Sequence, residues 1–305
     1  MATVGVLCTR VRMEEKQIMT ALAAAGVPAL HLDPCRSPLP VGPVPTQPFA
    51  GEADGVAAEV IIDRCQDRAV AASVLRLLGG GQPLVLDAGI AATGDRLAVA
   101  VALASAGIPR PETRLVCSEE SAMAALDEIG YPSVLLPLMP HTSDIVLYDR
   151  DTAEAVFEHR HVLGTKSEAL GLVQQGLFLA EQRIMVVVVN GVAIAVGHAT
   201  KNGGVSGVAL RMAEAAAVAI GADLAGIEIA QTANGPVVWD VQPVPEFRDM
   251  LTIGDTPVAE ALAAAIVGRS ASRNGVAANG SPRVSRLEAN GAIEREVTTH
   301  VALLA

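Results

Sequence analysis

Residues 83–138 decide the fold and read PLVLDAGIAATGDRLAVAVALASAGIPRPETRLVCSEESAMAALDEIGYPSVLLPL. The apolar run at 84–86 predicts a buried strand. A helix is predicted to begin at Asp95 and to end near Gly107, because an acidic cap opens the apolar pattern and a glycine followed by Pro109 closes it. A strand (113–117), a helix opened by Ser118 and an apolar strand (133–136) follow, so strands and helices alternate as in α/β proteins.

The same alternation extends toward the N-terminus. Short apolar runs at 3–8, 29–32 and 60–63 predict strands, with helices at 12–25 and 66–78 between and after them. This order predicts a small parallel α/β unit.

The C-terminal half has a different pattern. Apolar strands at 184–189 and 192–196 flank Asn190 and Gly191, which are typical of a tight hairpin turn. Strands at 226–230 and 236–241 and helices at 208–220 and 257–267 complete an α+β pattern, and a strand is also predicted at 177–181. Residues 270–282 are rich in Ser, Asn, Gly and Ala, which is typical of a flexible linker.

Composition excludes several classes of function. The 305 residues carry a net charge of −11 and only 2% aromatic residues, which argues against nucleic-acid binding. The sequence has no apolar run long enough to span a membrane, and charge appears too early for a signal peptide. The four cysteines show no CxxC spacing, so we expect free thiols in a cytoplasmic protein.

Three motifs carry a resemblance to a known family: Gly94-Asp95-Arg96, the segment 106–113 (AGIPRPET) and the segment 129–137 (IGYPSVLLP). In this order they resemble ATP-grasp ligases of the RimK/LysX type. The resemblance implies an ATP-grasp fold of three subdomains: an N-terminal parallel α/β unit (1–90), a central lobe (91–182) and a C-terminal antiparallel lobe (183–268). A linker and tail (269–305), flexible or partner-binding, would follow.

The resemblance also implies a site for ATP and Mg²⁺. It places the metal ligands at Glu228, Asp240 and Gln242, since carboxylate and amide oxygens suit a hard cation. The resemblance also implies a set of nucleotide-binding residues, to which we add the cations nearby. The set is Arg96, Glu181, Arg183, Gly203 and Gly204. Lys201 and Arg248 are expected beside the amine or carboxyl substrate as catalytic residues.

The sequence departs from the family at several of these positions. Arg96 and Leu136 stand where the family has phosphate-binding lysines, and Met185 stands where it has an arginine. The segment 138–143, where the family has a glycine-rich flap, contains no glycine.

Two interpretations therefore stay open. One is an ATP- and Mg²⁺-dependent ligase of amino-acid biosynthesis that joins a glutamate- or aminoadipate-like carboxylate to an amine through an acyl phosphate. The other is a catalytically inactive pseudoenzyme that acts as a binding or regulatory subunit. The expected partners are a small-molecule carboxylate or amine, an amino-group carrier protein and further copies of this chain in a homo-oligomer.

Overall fold

The computed structural model describes residues 3–36, 38–39, 41, 58–78, 84–138, 144–164, 170–176, 183–197 and 205–276, with side chains as far as Arg269. The chain divides into two compact units, residues 1–266 and 267–305. The first unit contains all three sheets.

The first sheet is parallel and lies near the N-terminus. Its strands, in the spatial order β2-β1-β3-β4, are β1 (Val4–Leu7), β2 (Ala29–Leu32), β3 (Val60–Asp63) and β4 (Leu84–Leu86). Helices α1 (Met13–Ala24) and α2 (Arg68–Leu78) belong to this part of the chain. Every residue of β1 and β3 is buried, as expected for parallel strands covered on both faces.

The second sheet is antiparallel, in the order β5-β8-β6-β7. Its strands are β5 (Thr113–Val116), β6 (Ser133–Pro137), β7 (Ile145–Leu147) and β8 (Gly171–Gln175). Helix α3 (Arg96–Ser105) precedes it, and helices α4 (Glu119–Ile129) and α5 (Arg150–Leu163) pack on it around Leu126, Leu135 and Phe157. Ser118 and Asp149 cap α4 and α5, since each side chain accepts a backbone N–H of the first turn.

The third sheet is also antiparallel, in the order β12-β11-β9-β10-β13. Its strands are β9 (Arg183–Val189), β10 (Val192–Gly197), β11 (Leu224–Thr232), β12 (Gly235–Gln242) and β13 (Leu251–Thr252). Helix α6 (Gly207–Ile220) packs on this sheet through alanines such as Ala213 and Ala216, and helix α7 (Val258–Val276) ends the described chain.

The structure confirms the parallel N-terminal α/β unit and the antiparallel C-terminal lobe. The sheet of the central lobe is antiparallel as well, which the sequence did not predict. The hairpin predicted at Asn190 and Gly191 is present, with φ of 50° and 82°. Helix α7 ends at Val276 rather than at residue 267. The prediction of a linker from residue 270 is therefore wrong for residues 270–276. Strands β8 and β13 were not predicted, and the predicted strand at 177–181 lies outside the described residues. Within the described part of the chain, no helix combines the length and the apolar character that crossing a membrane requires.

Candidate active site

Two carboxylates face each other on the third sheet. Glu228 of β11 and Asp240 of β12 are directly opposed in the antiparallel register. Directly opposed residues have Cβ atoms about 5 Å apart, so these side chains lie side by side on one face. Gln242 Nε2 donates to Asp240 Oδ2 at 3.3 Å. The three side chains predicted to hold a metal are therefore adjacent.

A β-bulge shapes the same strand. The register shifts so that Ile229 pairs with Val238, which leaves Trp239 as the extra residue of β12. The guanidinium carbon of Arg183 lies 4.1 Å from the centre of the Trp239 ring, and Arg183 Nη1 lies 3.5 Å from Glu228 Oε1. The bulge thus brings a cation–π pair and an ion pair together beside the carboxylates.

The electrostatic environment disfavours both negative charges. Burial raises the pKa of Glu228, the charge of Asp240 raises it further, and Arg183 opposes the rise. Burial also raises the pKa of Asp240, against the opposing effects of Arg96 and of the hydrogen bond from the Val241 N–H. At both carboxylates the neighbouring arginines therefore offset the effect of burial only in part.

Arg96 is held at the start of α3. Asp95 caps the helix by accepting from the Ala98 N–H at 2.9 Å, and the Arg96 N–H donates to Leu138 O at 3.0 Å. The guanidinium donates to Asp144 Oδ1 at 2.6 Å and lies 4.0 Å from Asp240 Oδ2. Arg96 therefore links the second sheet to the carboxylates of the third.

A cavity of about 170 Å³, called here the central cavity, lies beside these groups. It is lined by Gln66, Arg68, Ala91, Gly94, Asp95, Arg96, Val99, Leu103, Arg110, Leu136, Leu172, Gln174, Val238, Trp239, Asp240, Val241, Gln242, Pro243 and Val244. One wall is apolar, where Leu136, Leu172 and Trp239 pack together. The polar part of the lining contains three arginines and the two carboxylates Asp95 and Asp240.

The structure brings some of the predicted site residues together and leaves others apart. Arg96, Asp240 and Gln242 line the central cavity. Glu228 and Arg183 do not line it, but they contact the lining residues Asp240 and Trp239. Arg248 does not line it, and its Nε lies 3.9 Å from Glu14 Oε1. The remaining predicted residues lie outside the described part of the chain: Glu181, Lys201, Gly203 and Gly204.

Three residues at the site were missed by the sequence analysis. Arg110 lines the central cavity and donates to Gln174 Oε1 at 3.2 Å, and Gln174 is itself 1% exposed. Asp144 pairs with Arg96. Arg110 stands inside the quoted motif at 106–113, and the available signal was that it is the only basic residue of that motif. No sequence signal distinguished Asp144 from other surface acids.

Among the described residues, no group of three or more His, Cys, Asp or Glu side chains is placed to hold a metal. The two carboxylates and the amide of Gln242 form a smaller set of oxygen donors. Such a set binds Mg²⁺ in combination with phosphate oxygens from a substrate rather than as a complete protein cage.

Comparison with solved structures gives clear matches, whereas no protein-family model matches the chain. A RimK domain ATP-grasp protein from Sphaerobacter thermophilus is 30% identical over 88% of this chain and 100% of its own, with a TM-score of 0.71. The macrocyclase MdnC from Microcystis aeruginosa, bound to precursor peptide MdnA, is 12% identical over 88% and 100% of the two chains, with a TM-score of 0.65. A D-alanine–D-alanine ligase from Bacillus anthracis complexed with ATP is 12% identical over 89% and 97%, with a TM-score of 0.57, and like the macrocyclase it shares the fold.

Proposed function

The chain belongs to the RimK-type ATP-grasp family, and on that premise we propose that it is an ATP- and Mg²⁺-dependent ligase. It would join a carboxylate to an amine by way of an acyl phosphate. The observation that carries this proposal is the pairing of Glu228 with Asp240 beside Arg96 and Gln242.

The residues present fit Mg²⁺. Glu228 and Asp240 offer carboxylate oxygens, and Gln242 offers an amide oxygen. Burial and mutual repulsion raise the pKa of Glu228, so a divalent cation would relieve an unfavourable charge. Bound Mg²⁺ would supply charge neutralisation for the phosphates of ATP.

The chain's own cations would bind and orient the nucleotide. Arg96 would contact a phosphate, although it must share its charge with Asp144. Arg183, stacked on Trp239, would help to fix the position of Glu228. The family resemblance also implies nucleotide- and substrate-binding roles, which we keep in the proposal, for Glu181, Lys201, Gly203, Gly204 and Arg248.

The proposed substrates follow the family resemblance. We take a small amino-acid carboxylate of the glutamate or aminoadipate kind as the activated group, with the amine on a small molecule or on a carrier protein. Precursor peptides are bound in the solved structures of the ligase PsnB and the macrocyclase MdnC, so a peptide amine is a further class to test. A homo-oligomer remains part of the proposal.

Calorimetric titration of the full chain with ATP and Mg²⁺ tests the nucleotide-binding part. We expect saturable binding, and with a substrate present we expect ADP release and an acyl phosphate that hydroxylamine traps. Asp240→Asn should lose Mg²⁺-dependent binding, whereas Asp249→Asn, at an exposed position outside the central cavity, should not. Binding that is equally strong with and without Mg²⁺ would contradict the metal assignment.

A second candidate function is a pseudoenzyme that binds or regulates a partner. Leu136 favours it, because this side chain is 8% exposed, packs against Leu172 and Trp239 and supplies no charge to a phosphate. Nucleotide binding without turnover for every amino acid and peptide tested would support this candidate. Turnover by the wild-type chain would exclude it.

A further inference from the structure

Arg110 differs from the other arginines of the central cavity in its surroundings. It lies in the segment between α3 and β5, and its Nη2 donates to the neutral Gln174 Oε1 at 3.2 Å. Its Nε is buried and has no hydrogen-bond partner within the described part of the chain, a feature it shares with the Nε of Arg68. Burial lowers the pKa of Arg110, and the negative charge of Asp240 opposes that change.

The neighbouring cations are already paired. Arg68 lies 2.6 Å from Asp63, and Arg96 lies 2.6 Å from Asp144. Among the described residues, no carboxylate lies within 4.0 Å of Arg110. A half-buried guanidinium with only an amide partner keeps much of its desolvation cost, and a bound anion would offset that cost.

The position of Arg110 defines which anion fits. Arg110 and Asp240 line the same cavity, and the charge of Asp240 acts on Arg110. An anion at Arg110 must therefore tolerate a carboxylate nearby, which a phosphate does when it shares a divalent cation with that carboxylate. A guanidinium also presents a planar fork that matches two phosphate oxygens.

The size of the central cavity agrees with this assignment. At about 170 Å³ it is smaller than the roughly 300–1,000 Å³ typical of a site that encloses a drug-sized ligand. It is large enough for a part of a nucleotide, such as its phosphates. Leu136 and Leu172, which form the apolar part of the lining, contribute no charge.

We infer that Arg110, which lies just before β5, binds a phosphate of the nucleotide. It would thereby supply the positive charge that β6 lacks, because Leu136 stands where the family has a lysine. This inference rests on the proposed function, because it takes ATP as the ligand. The strand order of the second sheet shows how Arg110 could take the place of a cation at position 136. Strand β8 lies between β5 and β6, Leu172 of β8 pairs with Leu136, and Gln174 of the same strand holds Arg110.

Calorimetry with ATP and Mg²⁺ on the full chain tests the inference through four variants. Arg110→Gln should weaken binding by about 10- to 100-fold, the loss expected for a charge-assisted hydrogen bond. Arg110→Lys should bind with intermediate affinity, because it keeps the charge and loses the fork. Arg110→Gln combined with Leu136→Lys should recover most of the affinity. Arg114→Gln is the matched control, since Arg114 is exposed and pairs with Glu112 and Glu128, and it should bind as the wild type does.

Three further measurements separate the possible causes of a weaker affinity. Thermal unfolding of each variant shows whether the fold is kept, and adenosine, which has no phosphates, should bind the wild type and Arg110→Gln equally. Glutamate is titrated in parallel as a carboxylate probe. A loss confined to glutamate would overturn the phosphate assignment and leave the proposed function standing.

The outcomes of the inference and of the proposed function are distinct. Equal affinity of the wild type and Arg110→Gln for ATP would overturn the role of Arg110 alone. If the wild type binds no ATP, the proposed function and this inference both fail.

Discussion

Arg96 and Asp144 form an ion pair at 2.6 Å, and the same guanidinium lies 4.0 Å from Asp240. One cation thus serves two carboxylates, one before β7 and one on β12. Asp144 is 43% exposed at its side chain, so its pairing with Arg96 contributes little to stability, about 0–1 kcal/mol. Its effect on ligand binding is expected to be larger, because it competes with any phosphate for the charge of Arg96.

The first prediction concerns Asp144→Asn. Removing this carboxylate should release Arg96 toward the central cavity and tighten ATP binding by about 3- to 10-fold, equivalent to roughly 1 kcal/mol. Calorimetry at low salt measures the change, and urea unfolding should show a stability within about 1 kcal/mol of the wild type. Weaker nucleotide binding in the variant would show that Asp144 assists the site rather than competing with it.

The second prediction concerns the buried ion pair of Glu15 and Arg64, both of whose side chains are 0% exposed. Burial opposes ionisation of Glu15, but hydrogen bonds from Arg12 and the charge of Arg64 overcome it and hold the pKa of Glu15 below its usual 4.5. Glu15→Gln leaves Arg64 without its counter-charge, so we expect a loss of about 3–5 kcal/mol in the free energy of unfolding at neutral pH.

The direction of the pKa shift of Glu15 sets how the stability of the wild type depends on pH. A depressed pKa in the folded state gives stability that is complete above about pH 4.5 and is lost as the pH falls through the folded value. Urea unfolding across this range should show a flatter curve for Glu15→Gln than for the wild type. Glu246→Gln is the control, because its ion pair with Arg12 is exposed and should cost less than about 1 kcal/mol. Parallel curves for Glu15→Gln and the wild type would refute the assignment.

The third prediction separates the cysteines by reactivity. Burial, together with the charge of Glu15, raises the pKa of Cys8 to about 12, and burial, together with Asp63, raises the pKa of Cys65 to about 11. Cys35 and Cys117 are exposed. Iodoacetamide at about pH 8 should therefore label only Cys35 and Cys117, since the thiolate is the reactive form. Intact-mass spectrometry counts the labels, and labelling in urea should modify all four thiols; rapid modification of Cys8 in the folded chain would contradict the burial.

The fourth prediction concerns Gly89, which has a φ of 60° at the start of the 3-10 helix Gly89–Thr93. A Cβ atom at this position would clash with Ile220 O, a backbone atom that cannot rotate away. Gly89→Ala should cost at least about 2 kcal/mol, from a strained φ and a displaced α6. Gly107→Ala is the matched control, since Gly107 has a φ of 68° with no atom within 4 Å of a Cβ and should cost only about 1 kcal/mol. Equal unfolding free energies for the two variants would contradict the close packing at Gly89.

Local signals in the sequence were enough to predict most of the elements. Asp95 and Ser118 cap the helices that they were predicted to open, and Asn190 with Gly191 forms the predicted turn. Each of these features depends on backbone preferences within a few residues, so it can be predicted without knowledge of the rest of the chain. Strand β8 could not be predicted in this way. Gly171–Gln175 is polar at one end and becomes a strand because it pairs with both β5 and β6.

The predictions for the site divide in the same way, into those that the sequence could give and those that depend on the assembled fold. The facing pair of Glu228 and Asp240 was predicted through the family resemblance, and their opposed register places them together. The partners of the cations were beyond sequence reasoning. The contact between Arg96 and Asp144 spans 48 positions and that between Arg110 and Gln174 spans 64, so both depend on how the sheets are assembled.

Trp239 is the chain's single tryptophan, and the bulge in β12 places it on the wall of the central cavity beside Leu136 and beneath Arg183. Indole emission from this protein consequently reports on one location. A molecule that enters the cavity, or a shift of the Arg183 guanidinium on the ring, should change the intensity or the emission maximum of the tryptophan fluorescence. The fold thereby contains its own optical sensor of occupancy, with no attached dye.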